Sequence, residues 1–302
     1  MPSATPTWDP GQYLRHAGHR ARPFADLLAR VPEPPATGRQ PVIVDLGCGP
    51  GNATRLLAER WPTALVTGLD NSARMLAQAR RDHAGATPGG GRIEFAEADA
   101  RTWVPEGAPG LIVSNATLQW VPGHADSFRA WFDGLAPGGV FAFQVPGNFD
   151  APSHVLMREL AESKRWEDRL GGVLRHADAV LEPAGYLDRL LALGADADVW
   201  ETTYLHVLPG QDPVLDWVKG TGLRPVLAAL ADDDEAAGAF LTEYRDLLRT
   251  AYPRTPYGTV LPFRRIFAVA VKPGRRAARG DGAPAGGADA VGGAGAAGEG
   301  GR

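Results

Sequence analysis

The chain has 302 residues, 44% of them hydrophobic, with eight Trp, which is enough apolar material to bury a sizeable core in one large domain or one domain with a cap. A formal net charge of −4 leaves no overall basic footprint for nucleic acid, and Cys48 as the sole cysteine excludes an intramolecular disulfide. No apolar run approaches the ~20 residues of a membrane-spanning helix, and residues 1–12 lack the cationic-then-apolar order of a signal peptide.

Residues 1–12 are rich in Pro and Gly and read as loop or lid. Apolar residues at helical spacing (Leu14, Phe24, Leu27, Leu28) predict a helix within 12–31. Residues 42–45 and 64–70 read as the first two strands, each closed by an acid, Asp45 and Asp70. Asn71 or Ser72 can cap the next helix, whose apolar stripe is Met75, Leu76 and Ala79. A Gly-rich connection over 84–91 leads to a third strand, 92–99, which ends in Asp99. Residues 111–115 form a short buried strand, 125–135 a helix, and Pro137-Gly138-Gly139 turns the chain into a fifth strand over 140–145. Beyond residue 150 helices dominate, at 153–165, 183–193, 213–219, 225–230 and 233–251, with long strands at 198–208 and 263–271. Residues 273–302 are Gly- and Ala-rich and cannot bury enough surface to offset ordering entropy, so disorder is expected. Alternation of strands and helices implies right-handed βαβ units in an α/β, doubly wound, mostly parallel sheet.

The first strand runs into Asp45-Leu-Gly47-Cys-Gly49-Pro-Gly51-Asn52. So bare a backbone lets a ligand lie against the main chain. A dinucleotide loop, G-x-G-x-x-G/A, needs a small residue where Asn52 stands. The spacing instead resembles motif I of the class I S-adenosylmethionine-dependent methyltransferases. On that reading Asp45, Gly47, Gly49 and Gly51 cradle the cofactor. Asp70 accepts from both ribose hydroxyls, with Asn71 and Met75 beside it. Asp99 and Ala100 meet the adenine, Asn115 faces the methyl-donating region, and Trp120 covers it. The acids of three successive strands lie about one βα unit apart and point to one edge, as a single extended ligand requires.

Methyl transfer from a sulfonium needs alignment and exclusion of water. A carboxylate acceptor, with a reference pKa near ~4, is already an anion at neutral pH, so no general base and no catalytic side chain in that sense is expected. Arginine forks suit such an acceptor, which singles out Arg22, Arg224 and Arg265, with Arg20, Arg264 and Tyr204 behind them. Each arginine alone also fits an ordinary surface ion pair. His16, His19 and His206 offer further hydrogen bonds, and no spacing suggests a metal site.

Several longer segments resemble the trans-aconitate 2-methyltransferases: Trp8-Asp-Pro-Gly-Gln-Tyr-Leu14, His19-Arg-Ala-Arg-Pro23, Asn115-Ala-Thr-Leu-Gln-Trp120, Gln144-Val-Pro-Gly-Asn148, His154-Val-Leu-Met-Arg158, Trp200-Glu-Thr-Thr-Tyr-Leu-His206, Thr221-Gly-Leu-Arg-Pro225 and Phe263-Arg-Arg-Ile-Phe267. The resemblance implies a seven-stranded Rossmann-like sheet with a helical cap. It also implies esterification of one carboxylate of trans-aconitate with S-adenosyl-L-methionine as donor, a small polycarboxylate as partner, and a cytoplasmic location. Residues 1–35 are then the lid and first helix, 36–147 the cofactor-binding core, 148–272 the remaining strands and substrate cap, and 273–302 the tail. The segment 167–181 departs from the resemblance and could border the pocket. Open alternatives are a methyltransferase for another small acid or a phenol, an NAD-linked oxidoreductase, and a non-catalytic S-adenosylmethionine-binding module.

Overall fold

The β-branched run Val42-Ile-Val is followed by glycines that cannot extend it, so the first strand stops at the loop; it is β1 (Val42–Leu46). The computed structural model describes residues 17–174 and 179–274. The loop or lid over 1–12, His16, the side chains of His19 and Arg20, and residues 275–302 of the tail lie outside the described residues.

Helix α1 (Ala17–Leu28) carries Pro23, and Phe24, Leu27 and Leu28 are buried. After β1 come α2 (Asn52–Arg60), β2 (Leu65–Asp70) and α3 (Ala73–His83). The Ser72 hydroxyl caps α3 by accepting from the Met75 amide at 3.4 Å, and Met75, Leu76 and Ala79 face inward as the helical spacing requires. Then follow β3 (Gly85–Ala86), β4 (Arg92–Glu97), β5 (Leu111–Asn115), α4 (Phe128–Gly134) and β6 (Val140–Pro146). The second half holds α5 (Pro152–Ala161), α6 (Glu167–Leu170), α7 (Pro183–Leu191), β7 (Asp196–Leu208), α8 (Pro213–Lys219), α9 (Arg224–Ala229), α10 (Asp234–Ala251), β8 (Arg254–Thr255) and β9 (Gly258–Val271).

The strands make one sheet in the order β3-β4-β2-β1-β5-β6-β9-β7, with β8 paired to β9. The pairs β1–β2, β1–β5, β2–β4 and β5–β6 are parallel, whereas β9 runs antiparallel to both β6 and β7. Among the described residues nine strands stand where seven were expected, because two two-residue strands, β3 and β8, extend the ladder. The connection over 84–91 supplies β3, which lies antiparallel on β4. Its turn is held by the Gly91 amide donating to Thr87 Oγ1 at 2.9 Å. The third long strand ends at Glu97 rather than Asp99, since the Asp99 carboxylate accepts from the Arg101 amide in a turn of its own.

Opposite faces of the sheet are both covered. Phe24, Leu27, Leu57, Ala58, Leu76 and Ala79 pack against Ile43, Val66, Val113 and Phe267 on one face. On the other, Phe128, Trp131, Phe132, Tyr186 and Leu190 pack against Val44, Ile112, Phe141, Phe143 and Ile266. A third cluster joins α5, α6, α8, α9 and α10 to the ends of β7 and β9 through Met157, Trp217, Phe240, Tyr244, Leu208 and Phe263.

Candidate functional site

The carboxyl ends of β1, β2, β4 and β5 lie side by side, which is where open parallel sheets bind ligands. Three glycines of the loop after β1 have positive φ: Gly47 (82°), Gly49 (55°) and Gly51 (87°). The amides of Gly47 and Cys48 both donate to Leu69 O, at 2.7 and 2.9 Å, which folds the loop over the end of β2. A Cβ at Gly47 would meet the Thr117 side chain at 2.1 Å, and one at Gly51 would meet His83 and Phe95, so these two positions are set by packing. A Cβ at Gly49 would meet nothing within 4 Å; there the bare backbone faces open space.

Two carboxylates underlie that space. Asp45 is buried and its Oδ2 accepts from Thr54 Oγ1 at 2.7 Å, while its Oδ1 is a buried acceptor without a partner. Burial, offset in part by the Thr54 bond and reinforced by the nearby Asp70, pushes the Asp45 carboxyl up from 3.8 to about 7. Asp70 ends β2 and accepts from the Gly49 and Ser72 amides, each at 2.9 Å; burial nonetheless raises its pKa. An orphaned acceptor, a paired carboxylate and an uncovered glycine match the needs of a ligand with cationic and diol groups, so the residues present fit S-adenosylmethionine. Asn71 is exposed just beyond Asp70, and Met75 is buried one turn into α3. Asp99 and Ala100 are half-buried past the end of β4, with Asp99 held below the usual carboxylate range by the Arg101 guanidinium.

The neighbouring strand ends shape a cleft. Thr117 Oγ1 donates to Gly47 O at 3.0 Å and so ties the turn after β5 to the glycine loop. Ala116 in that turn is left-handed, with φ of 54°, and its amide donates to Gln144 O at 2.9 Å. Asn115, Trp120, Gln144, Phe149, His154, Thr221, Gly222, Phe263 and Arg265 line the cleft, bringing β5, β6 and β9 together with α5 and the turn before α9. Arg265 is 6% exposed. Its guanidinium lies 4.6 Å from the Phe263 ring centroid, and its Nη1 donates to Gln144 Oε1 at 3.2 Å. Gln144 Nε2 in turn donates to Asn115 Oδ1. No Asp, Glu or Lys occurs among the described residues that line the cleft.

The other arginines are placed differently. Successive residues of a strand point to opposite faces, so Arg264 leaves the face of Arg265 and pairs with Glu182 and Glu201; both ion pairs raise its pKa. The structure does not bring it to the cleft. Arg22 on α1 is 74% exposed and lies 5.2 Å from the Tyr204 ring centroid. Tyr204 is buried, and its hydroxyl donates to Asp26 at 2.6 Å. Burial first, and then Asp26, raise the Tyr204 pKa. Arg224 starts α9 two residues beyond Gly222 and is half-buried. His206 is stacked between Tyr204 and Trp217 in the packed interior, which fits a structural role. Of the 167–181 segment, Leu174 lines a side pocket shared with Phe149, His154 and Gly222.

Gln144, His154 and Phe263 line the cleft without having been singled out as site residues. The signal for Gln144 was a lone amide inside the apolar run Val140-Phe-Ala-Phe-Gln-Val145. No comparable pattern marks His154, which reaches the cleft only because α5 folds over the sheet end.

The family described as "Methyltransferase domain" matches residues 43–139. A trans-aconitate 2-methyltransferase of Streptomyces avermitilis is 70% identical over 273 residues, covering 90% of this chain and 99% of its own. One of Streptomyces coelicolor is 68% identical, covering 90% and 89%. One of Mycobacterium tuberculosis is 44% identical over 271 residues, covering 89% and 98%. Among solved structures, YjhP of E. coli shares the fold, with a TM-score of 0.50 at 21% identity over 86% of this chain and 99% of its own.

Proposed function

The chain belongs to the trans-aconitate 2-methyltransferase family, and from that premise we propose that it esterifies one carboxylate of trans-aconitate with S-adenosyl-L-methionine as methyl donor. The observation that carries the choice of acceptor is the cleft beside the glycine loop. A nearly buried guanidinium, Arg265, stands in its wall, and no acidic side chain lines it among the described residues. Such a wall favours an anion, and an arginine fork fits a carboxylate.

The bound donor supplies a methyl group on a sulfonium sulfur, which a carboxylate oxygen displaces in line, giving the methyl ester and S-adenosylhomocysteine with no proton to move. The protein's share is to hold and align. Asp45 and Asp70 supply acceptors for the donor's cationic and hydroxyl groups, while the backbone at Gly49 allows close approach. Arg265 seats one carboxylate of the acceptor, and Asn115 lines the same cleft at the end of β5. Trp120, Phe149 and Phe263 line the cleft with apolar surface, which limits water around the reacting pair. The helices α5, α8, α9 and α10 serve as the substrate cap. The reading carries with it a small-molecule partner and a cytoplasmic setting.

Incubation with methyl-labelled S-adenosylmethionine and trans-aconitate is expected to yield a labelled, base-labile monomethyl ester and equimolar S-adenosylhomocysteine. Absence of ester at millimolar acceptor, with cofactor binding intact, would reject the acceptor. A phenol panel provides the contrast: rates that rise with pH on a phenol, with none on carboxylates, would favour the phenolic alternative.

A further inference from the structure

We propose that Gln144 is a positioning residue that fixes the side-chain amide of Asn115 so that its N–H groups face the cleft and donate to the acceptor's carboxylate. The inference rests on the carboxylate-acceptor reading above and deepens it. Asn115 was expected at the donor's reactive end; the hydrogen-bond polarity assigns it to the acceptor as well.

The polarity follows from one end of a buried chain. Amide oxygen and nitrogen are told apart by their partners, and a guanidinium can only donate. Arg265 Nη1 therefore requires an oxygen from Gln144, and Oε1 lies 3.2 Å away. That leaves the Gln144 Nε2 group facing Asn115, where it needs an acceptor and finds Oδ1. With its oxygen turned to Gln144, Asn115 directs Nδ2 away from β6, and Nδ2 makes no hydrogen bond to another described residue. Asn115 is half-buried and lines the cleft. Gln144 is 1% exposed and sits mid-sheet, between β5 and β9, so its amide has no room to serve bulk water.

The turn after β5 reinforces the arrangement. The Gln144 carbonyl accepts from the Ala116 amide at 2.9 Å, so backbone and side chain of one residue both engage the end of β5. A permanent positive charge at Arg265 is thus read through a neutral amide into a second donor at the end of β5, one strand beyond Gln144. Two donor groups side by side along the end of the sheet suit a group with two equivalent acceptor oxygens. The carboxylate has more lone pairs than the two donors engage, so one oxygen can still be directed at the methyl carbon.

The test is a double-mutant cycle on binding rather than turnover. Trans-aconitate is titrated calorimetrically into wild type, Gln144→Met, Asn115→Ala and the double variant, each saturated with S-adenosylhomocysteine. Gln144→Met keeps length and apolar packing but removes both side-chain hydrogen bonds. Each single change is expected to weaken trans-aconitate by about tenfold or more, as loss of a hydrogen bond to a charged group does. The double variant should be weakened little beyond the worse single one, because Gln144 acts through Asn115. S-adenosylhomocysteine affinity reports the fold of the glycine loop and is expected to change by less than about threefold in Gln144→Met, well below the loss from one charged hydrogen bond. Multiplicative losses in the double variant would overturn the proposal while leaving the proposed function standing. An unchanged affinity in Asn115→Ala would do so whatever Gln144→Met does, including failing to fold. Wild type that binds no trans-aconitate would overturn both.

Discussion

At the scale of single residues, the site depends on charges whose surroundings change what they can do. Asp45 has a carboxyl shifted from 3.8 to about 7 by burial. A raised acid favours the protonated native state, so its contribution to stability is full below pH ~4 and is lost as pH rises through about 7. The ligand-free protein should therefore lose thermal stability between pH ~4 and ~7, and Asp45→Asn should lose less; equal losses in melting scans would contradict the assignment. A cationic donor favours the ionised carboxylate, so S-adenosylmethionine affinity should rise as pH passes about 7 and flatten in Asp45→Asn. Arg264 and Arg265 show why residue type alone was insufficient. Both were legible as carboxylate forks, and strand parity decides between them: Arg264 is held by Glu182 and Glu201, and Arg265 faces the cleft. Arg265→Met is expected to raise KM for trans-aconitate at least tenfold, whereas Arg264→Met should change it by less than about threefold, on the scale of one charged hydrogen bond. Steady-state kinetics on the two variants distinguishes them.

Elements were read more securely than side chains, because periodicity and turn chemistry are local. The helix capped by Ser72, the strand at Leu111–Asn115 and the helix at Pro213–Lys219 all stand where the sequence indicates. The small strands β3 and β8 were not legible, since two-residue pairings carry no period and depend on a neighbouring edge. Within the glycine loop, sequence shows that glycines are needed but not why each one is. Gly47 and Gly49 separate the reasons. Gly47→Ala adds a Cβ 2.1 Å from Thr117 at a φ of 82° and should destabilise by about 2 kcal/mol or more, seen as a lower denaturation midpoint. Gly49→Ala meets no protein atom within 4 Å, so its stability cost should be smaller, about 1–2 kcal/mol from the left-handed backbone. Its larger effect should be on cofactor affinity, because the new methyl group occupies ligand space. Calorimetry and denaturation run in parallel would expose any reversal of this order.

Across the whole molecule, one continuous sheet serves two spaces. Parallel strands gather acids at one edge, and the antiparallel β9 returns a basic residue to the same end beneath the cap. The parallel half was legible from alternating strands and helices. The convergence of Gln144, His154 and Arg265 was not, because it arises from long-range pairing of β6 with β9 and from the packing of α5 over them. The cap's own cluster, with Trp217, Phe240 and Tyr244 fully buried, holds the cleft's outer wall to the sheet. Trp217→Ala should cost about 3–5 kcal/mol of stability, as large core truncations do, and a smaller loss in denaturant unfolding would show that the cap is loosely packed. The most direct test of a carboxylate held beside a methyl donor is a crystal structure with S-adenosylhomocysteine and trans-aconitate bound together. The expected result is the homocysteine sulfur at the glycine loop and one carboxylate within hydrogen-bonding distance of both Arg265 and the Asn115 amide nitrogen. Acceptor carboxylates seated at Arg264, or S-adenosylhomocysteine away from Gly49 and Asp70, would contradict the account.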